Sequence, residues 1–360
     1  MQIGIVGLPY CGKSTLFQTM TRTHLDDAAL ARQQTNLAVV KVPDARVDKL
    51  GDMFNPKKLV YTSVEFVDVV GLKKGDHSST QFTGAFLGGV KTNDALIHVV
   101  RLFDDPLYPH PEGSIDAMRD INILEAEFVL SDLAMIETRL EKLRKQVLKA
   151  PDDKSKHELR ILERFQQTLE DGKPLRTLDL DANDRAQIKG YQFLSLKPVL
   201  VVLNLEEAQV GSMQTLVADM QAQVRSMGMS VDAFAGKIEM ELAQLSDEEA
   251  SEFMKDYGLE ESALTRIIRS AYDMLGLIAF LTFGEDECRA WTIRRNTPAH
   301  EAAGAIHTDL MNRFIRAEIV HFDDFVRLGS IQACKDAGLW RLEGKEYVVR
   351  DGDMMTVRHG

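Results

Sequence analysis

Short apolar runs alternate with helical patterns along the first third of the chain. Gln2–Val6 carries Ile3, Ile5 and Val6 straight into Gly7, and Ser14–Met20 then has helical spacing. Val64–Val70, Ala95–Val100 and Pro198–Leu203 are further β-rich runs, the last of them (VLVVL) almost without polar relief. Strands apolar on both faces and separated by helical stretches predict a parallel sheet covered on both sides, which is an α/β domain.

The period changes between Ile123 and Leu169. Leu124, Phe128, Leu133, Ile136, Leu140, Leu143 and Val147 recur at spacings of three to five. Pro151-Asp152-Asp153 interrupts the stripe, and Leu159, Leu162 and Phe165 resume it. Two long helices joined by a turn predict an antiparallel hairpin. It lies between strands of one sheet, so it reads as an insertion. The end of the chain differs again. Ala279–Phe283, Ala290–Ile293 and Glu346–Val349 are short strand candidates, with a helix expected over His300–Phe314. The expected boundaries are 1–122 with 198–276 for the α/β domain, 123–197 for the insertion and 277–360 for a small α+β module. The chain has no internal repeat and no low-complexity tract.

Composition adds limits more than leads. The 360 residues are 44% hydrophobic and 27% charged, as in ordinary globular proteins. A formal net charge of −12 argues against coating nucleic acid by bulk electrostatics, and no DNA partner is expected. Between Glu137 and Arg164, however, nine Lys/Arg face six Asp/Glu. That stretch is either a solvated helix face with i,i+4 pairs or a local basic contact. Cys11, Cys288 and Cys334 give neither a disulfide framework nor metal-ligand spacing, and suit a reducing compartment. No stretch approaches the roughly 18 apolar residues of a membrane span, and Met1 runs into a strand without a basic leader. A cytoplasmic protein without membrane contact is expected.

The chemistry is concentrated near the N-terminus. Gly7-Leu8-Pro9-Tyr10-Cys11-Gly12-Lys13-Ser14-Thr15 fits G-x-x-x-x-G-K-[ST] between a strand and a helix, the pattern of a phosphate-binding P-loop. Glycines let backbone N–H groups turn towards phosphate oxygens, and the helix N-terminus adds its positive end. Lys13 would reach the β- and γ-phosphates, and the Ser14 hydroxyl would ligate Mg²⁺. Asp68-Val-Val-Gly71 ends a strand where a carboxylate for Mg²⁺ and a γ-phosphate-sensing N–H belong. Leu72 stands where many GTPases carry a water-orienting Gln, so hydrolysis must use another group. Asn204-Leu205-Glu206-Glu207 follows VLVVL in the slot of the guanine motif N-K-x-D. Glu207 in place of Asp spoils the bidentate fit to guanine, so discrimination should weaken or move towards adenine. The plainer reading is a strand-to-loop Asn cap.

These motifs, their order and the inserted hairpin resemble the YchF family of Obg-like ATPases. The resemblance extends over essentially the whole chain, through VPDARVDKL at Val42–Leu50, FIRAEIVHFDDF at Phe314–Phe325 and GKEYVVRDGDMM at Gly344–Met355. RAWTIRRNT at Arg289–Thr297 and AAGAIHTDL at Ala302–Leu310 resemble a TGS domain starting near Leu277. The resemblance implies a P-loop G domain, a coiled-coil insertion and a C-terminal TGS module. It implies ATP hydrolysis at least as good as GTP hydrolysis, ribosome or rRNA association, and a loop histidine, here His110, in place of the missing Gln. A TGS strand edge could also receive a protein partner. Departures from the family pattern are local. Tyr10 and Cys11 replace Asn-Val in the P-loop, Arg32-Gln-Gln-Thr35-Asn36 replaces T-I-E-P-N, and Thr35 lies three residues beyond the Mg²⁺-ligand position. The second switch is DHSSTQFTGAF at Asp76–Phe86, and Ala235-Gly236-Lys237 lacks the serine of the S-A-K base loop. The expected protein is therefore an ATP- or GTP-binding P-loop hydrolase with a drifted switch apparatus. The alternative is a nucleotide-sensing binding module that hydrolyses weakly or not at all. A small-metabolite kinase would share the P-loop, but no acceptor site is evident.

Overall fold

A sheet of parallel strands places the P-loop at its centre. The computed structural model describes residues 1–21, 36–69, 83–259 and 261–360. Its strands are β1 (Gln2–Val6), β2 (Asn36–Lys41), β3 (Lys58–Val60), β4 (Ser63–Asp68), β5 (Ala95–Leu102), β6 (Val199–Leu205), β7 (Ser230–Phe234), β8 (Leu277–Thr282), β9 (Glu287–Arg294), β10 (Phe314–His321), β11 (Arg341–Glu343) and β12 (Asp353–His359). The first sheet has the order β2-β4-β1-β5-β6-β7, and the pairs from β4 through β7 are parallel. Strand order reverses at β1, whose neighbours are β4 and β5. The crevice beyond the carboxyl ends of strands at such a switch point is where open α/β sheets take ligands. Every residue of β6 is buried, which is why its sequence lacks alternation.

The chain divides into two compact units, Met1–Val39 with Glu65–Ile267, and Val40–Val64 with Ile268–Gly360. The first holds the P-loop and the hairpin. The hairpin helices span Ala117–Lys149 and Asp153–Glu170. Each begins on an aspartate cap: Asp116 accepts the Arg119 N–H at 3.0 Å and Asp152 accepts the Ser155 N–H at 2.9 Å. Ile136, Leu140 and Leu143 pack on Ile161, Leu162, Phe165 and Leu169, all almost fully buried. Burying each such side chain contributes about 1.5–3 kcal/mol, far more than intrinsic helix propensity does. The first helix starts six residues before Ile123, because Ala117 and Ile121 pack into the core of the parallel sheet rather than the hairpin's own stripe. At the base of the hairpin, fully buried Asp132 accepts the N–H groups of Leu194 (2.9 Å) and Ser195 (2.8 Å) and the Ser195 hydroxyl (2.7 Å). Arg176 pairs with Glu125 at 3.0 Å in a site closed to solvent.

The second unit carries a mixed sheet of order β11-β10-β12-β8-β9-β3, with β10/β12 and β8/β9 antiparallel and β12/β8 and β3/β9 parallel. Two local expectations fail here. Glu346–Val349 is not a strand; it makes one bridge, Val348 to Pro298, and the sheet uses Arg341–Glu343 and Asp353–His359 instead. The segment read as one helix over His300–Phe314 is two, Ala299–Ile306 and Thr308–Asn312, separated by extended His307, whose side chain caps the second. Phe314 opens β10, where it is buried in the core cluster that also holds Ile319 and Met355.

His98 on β5 is 2% exposed, and its Nε2 has no hydrogen-bond partner among the described residues. Burial first, and then the charges of Lys13 and Arg176, bring its pKa down to about 3. The unfolded chain takes up this proton near the ordinary histidine value of about 6.5, whereas the folded chain resists it. The contribution of His98 to stability is thus intact above that value and is lost as pH falls from it towards 3. His98→Leu is expected to show a shallower acid limb than wild type in urea midpoints measured across this range; superimposable limbs would contradict the assignment.

Candidate nucleotide site

The loop between β1 and the helix Lys13–Thr21 depends on two glycines that accept no side chain. Gly7 has φ +149°, and a Cβ there would lie 2.4 Å from the Val99 carbonyl oxygen. Gly12 has φ +96°, and a Cβ there would lie 2.1 Å from Asn204 Nδ2. Between them Leu8 and Cys11 are buried, Pro9 and Tyr10 are half-buried, and Tyr10 adopts φ +61°. The Lys13 ammonium donates to the carbonyls of Gly7 (2.9 Å) and Leu8 (2.8 Å), folding the side chain back across the loop. Burial pushes the Cys11 thiol up, partly offset by nearby Lys13.

A cavity of about 900 Å³ opens over this loop. Tyr10, Gly12, Lys13, Ser14 and Thr15 form one wall, and Asn204, Leu205, Glu207, Gly236 and Lys237 form another. The two walls are joined by one side chain. Asn204, 4% exposed, donates through Nδ2 to the Cys11 carbonyl (3.1 Å), and its Oδ1 accepts the Gly236 N–H (3.1 Å). Asn204 is thus a tie between loops and not merely the cap of its own strand. The first turn of the helix supplies backbone N–H groups without intrahelical partners.

Other expected residues lie apart. Asp68 ends β4, and its Ile5 partner lies two residues before Gly7. It is not part of the cavity lining. Burial raises its carboxyl pKa, with Lys13 and a hydrogen bond from Asn36 opposing. A hydroxyl (Ser14) and a half-buried carboxylate (Asp68) are the kind of hard-oxygen donors that suit Mg²⁺, which takes one or two protein oxygens and fills its shell with phosphate and water. Thr35 and Gly71 lie outside the described residues, as do 76–82 of the second switch. Among the described residues no cluster of three or more His, Cys, Asp or Glu forms a metal site.

His110 does not line the cavity. Its side chain is 5% exposed, with Nε2 2.9 Å from Asp120 Oδ2, while Nδ1 accepts the Glu112 N–H at 3.2 Å. This pattern corresponds to the neutral ring with its hydrogen on Nε2. Arg119 clamps the other Asp120 oxygen at 2.9 Å and 3.1 Å.

Two family models match the chain. One, described as "50S ribosome-binding GTPase", matches residues 2–139, and one for the C-terminal region of YchF GTPases, described as "Protein of unknown function", matches 277–360. The chain is 39% identical over 357 residues to the Ribosome-binding ATPase YchF of Haemophilus ducreyi, covering 99% of this chain and 98% of that one. It is 35% identical to Obg-like ATPase 1 of rice, over 99% of this chain and 91% of the relative. The solved Schizosaccharomyces pombe YchF GTPase superposes with a TM-score of 0.87 at 34% identity, covering 99% and 97% of the two chains. The chain belongs to the YchF family of Obg-like ATPases.

Within that family frame, the cavity includes residues that motif reading did not single out. Phe103, Asp104, Asp105 and Tyr108 come from the segment noted only for His110, and Tyr108 stacks on Tyr10 with centroids 5.3 Å apart. Buried Arg101 holds this segment by donating to the carbonyls of Phe103 (2.9 Å) and Tyr108 (2.8 Å). Met240 reaches the cavity from the helix that begins at Gly236, and Tyr257 from the end of the helix Asp247–Asp256, which carries no motif. Asn204→Ala removes both loop ties and strands a buried N–H, which costs about 1–3 kcal/mol. A urea-unfolding midpoint lowered by a corresponding amount is expected, and an unchanged midpoint would remove Asn204 from this role.

Proposed function

We propose that this chain binds ATP or GTP with Mg²⁺ at Gly7–Thr15 and hydrolyses it, ATP being preferred or tolerated, as a ribosome-associated regulatory switch in the cytoplasm. The observation that carries this reading is the pre-formed cradle, in which Lys13 lies across the loop and the helix N-terminus opens into a nucleotide-sized cavity. On binding, Lys13 would exchange the Gly7 and Leu8 carbonyls for phosphate oxygens and stabilise the negative charge that develops there. Ser14 and Asp68, with Thr35 and Gly71 from the switches, would hold Mg²⁺ and sense the γ-phosphate; the ion would neutralise phosphate charge. Asn204, Leu205, Glu207, Gly236 and Lys237 would receive the base.

His110 would orient water only after giving up Asp120 and the Glu112 N–H. That engagement favours a second reading, a nucleotide-sensing module with little hydrolysis. In both readings residues 123–197 act as a coiled-coil arm and 277–360 as a TGS module open to a protein partner. The names of the Haemophilus ducreyi and Bacillus subtilis relatives, each Ribosome-binding ATPase YchF, support ribosome or rRNA contact. No helix among the described residues is long and apolar enough to cross a membrane.

Single-turnover ADP release decides between the two readings. Wild type should exceed Lys13→Ala by at least about tenfold, and equal background release would leave only the binding module. For the ribosome, exposed Lys145 and Lys149 are the residues to reverse, because Arg144 is already paired with Glu163 at 3.0 Å. Lys145→Glu with Lys149→Glu should weaken co-sedimentation with ribosomes and flatten its salt dependence; unaltered co-sedimentation would return this face to plain solvation.

A further inference from the structure

Glu207 begins the turn after β6, on the cavity wall, and it is already engaged. Its Oε1 accepts a 2.6 Å hydrogen bond from the hydroxyl of Tyr257, which caps the helix Asp247–Asp256. Both side chains line the cavity beside Lys237 and Met240. The tyrosine is held from its own helix end. Its ring packs on Phe253 with centroids 5.0 Å apart, and the Gly258 N–H (3.0 Å) and Leu259 N–H (2.8 Å) close the turn on Lys255 and Met254. Consistently, that bond is the largest cause of the raised Tyr257 pKa.

The two bases ask different things of a carboxylate. Guanine presents two adjacent donors, the ring N1–H and the 2-amino group, and satisfies both only when a carboxylate offers two free oxygens in one plane. Adenine presents a single amino donor beside a ring acceptor. An ionised Glu is acceptor-only, with two oxygens to share. With one lone pair of Oε1 taken by Tyr257 and the carboxylate's rotation restrained by that bond, the two oxygens are less free to face a pair of adjacent donors together, whereas Oε2 alone can accept one.

We propose that Tyr257 is a specificity-determining positioning residue, which holds Glu207 Oε1 so that the site accepts a one-donor adenine edge and penalises the two-donor guanine edge. This rests on the nucleotide-binding reading above and adds to it a residue fifty positions from the base motif. The alternative is a tether, in which Tyr257 only fastens its helix to the base loop. A tether weakens both nucleotides together, whereas a selectivity device moves their ratio.

The test is equilibrium titration of the full chain with fluorescent N-methylanthraniloyl derivatives of ATP and GTP in the presence of Mg²⁺. Tyr257→Phe removes the donor and keeps the ring. It should shift the ATP-over-GTP affinity ratio towards GTP by about three- to tenfold, the range set by one hydrogen bond to a charged acceptor in a partly exposed site. In a Glu207→Gln background the same change should shift the ratio by less than about twofold. Tyr257→Leu, a second removal of the hydroxyl, should move the ratio in the same direction. If wild type binds nucleotide but neither Tyr257 variant moves the ratio, Tyr257 is a tether and this inference alone falls. If wild type binds neither nucleotide better than Lys13→Ala does, the nucleotide reading falls and takes this inference with it.

Discussion

The candidate site depends on the two hydrogen bonds of the Asn204 side chain. Phosphate loop and base loop come from distant parts of the sequence, and among the described residues no backbone–backbone hydrogen bond joins them. The carboxamide supplies a donor to Cys11 and an acceptor to Gly236 from a position closed to water, where an unmade bond costs most. Only a side chain with both functions on one rigid plane serves. Asp would lose the donor, and Gln would push the groups apart. The same contact explains Gly12, since any Cβ there would collide with Asn204 Nδ2.

This geometry separates what is ready from what is not. Lys13 is drawn across the phosphate loop by the Gly7 and Leu8 carbonyls, and on the opposite wall Glu207 is held by the bond from Tyr257. His110, in contrast, is satisfied elsewhere. Its ring nitrogens, Asp120 and Arg119 form a closed set of charge-assisted bonds, which are stronger than neutral ones. Moving His110 into the cavity leaves Asp120, 2% exposed, to Arg119 alone. For the water-orienting role proposed for His110, the cost of leaving this network would have to be met first.

Most of the architecture was legible because it follows from period and burial. The all-apolar β6, the heptad-like stripe from Leu124 to Phe165 and the glycine-bounded loop each have one physical solution. The family resemblance rested on long stretches that the comparisons bear out. What escaped reading was set by tertiary contacts. Glu346–Val349 has strand composition yet finds no partner beyond one bridge, and the break at His307 is a cap that only the folded chain reveals. In the site, local spacing marked Glu207 but could not mark Tyr257, because the bond joining them spans fifty residues of sequence. Arg101 was hidden in a run of strand residues, although its guanidinium shapes the segment that carries Tyr108 and His110.

The clamp at Asp132 has a mechanical consequence. It grips Leu194 and Ser195, and the chain then runs through Lys197, itself anchored to the Lys91 carbonyl at 2.9 Å, directly into β6 and the base loop. Asp132 sits near the middle of the first hairpin helix, so the arm that runs from this clamp to Lys149 is about 25 Å long. A rotation of about 5° at the clamp would carry the far end through roughly 2 Å, so a contact made at the tip would bear on the strand that carries Asn204.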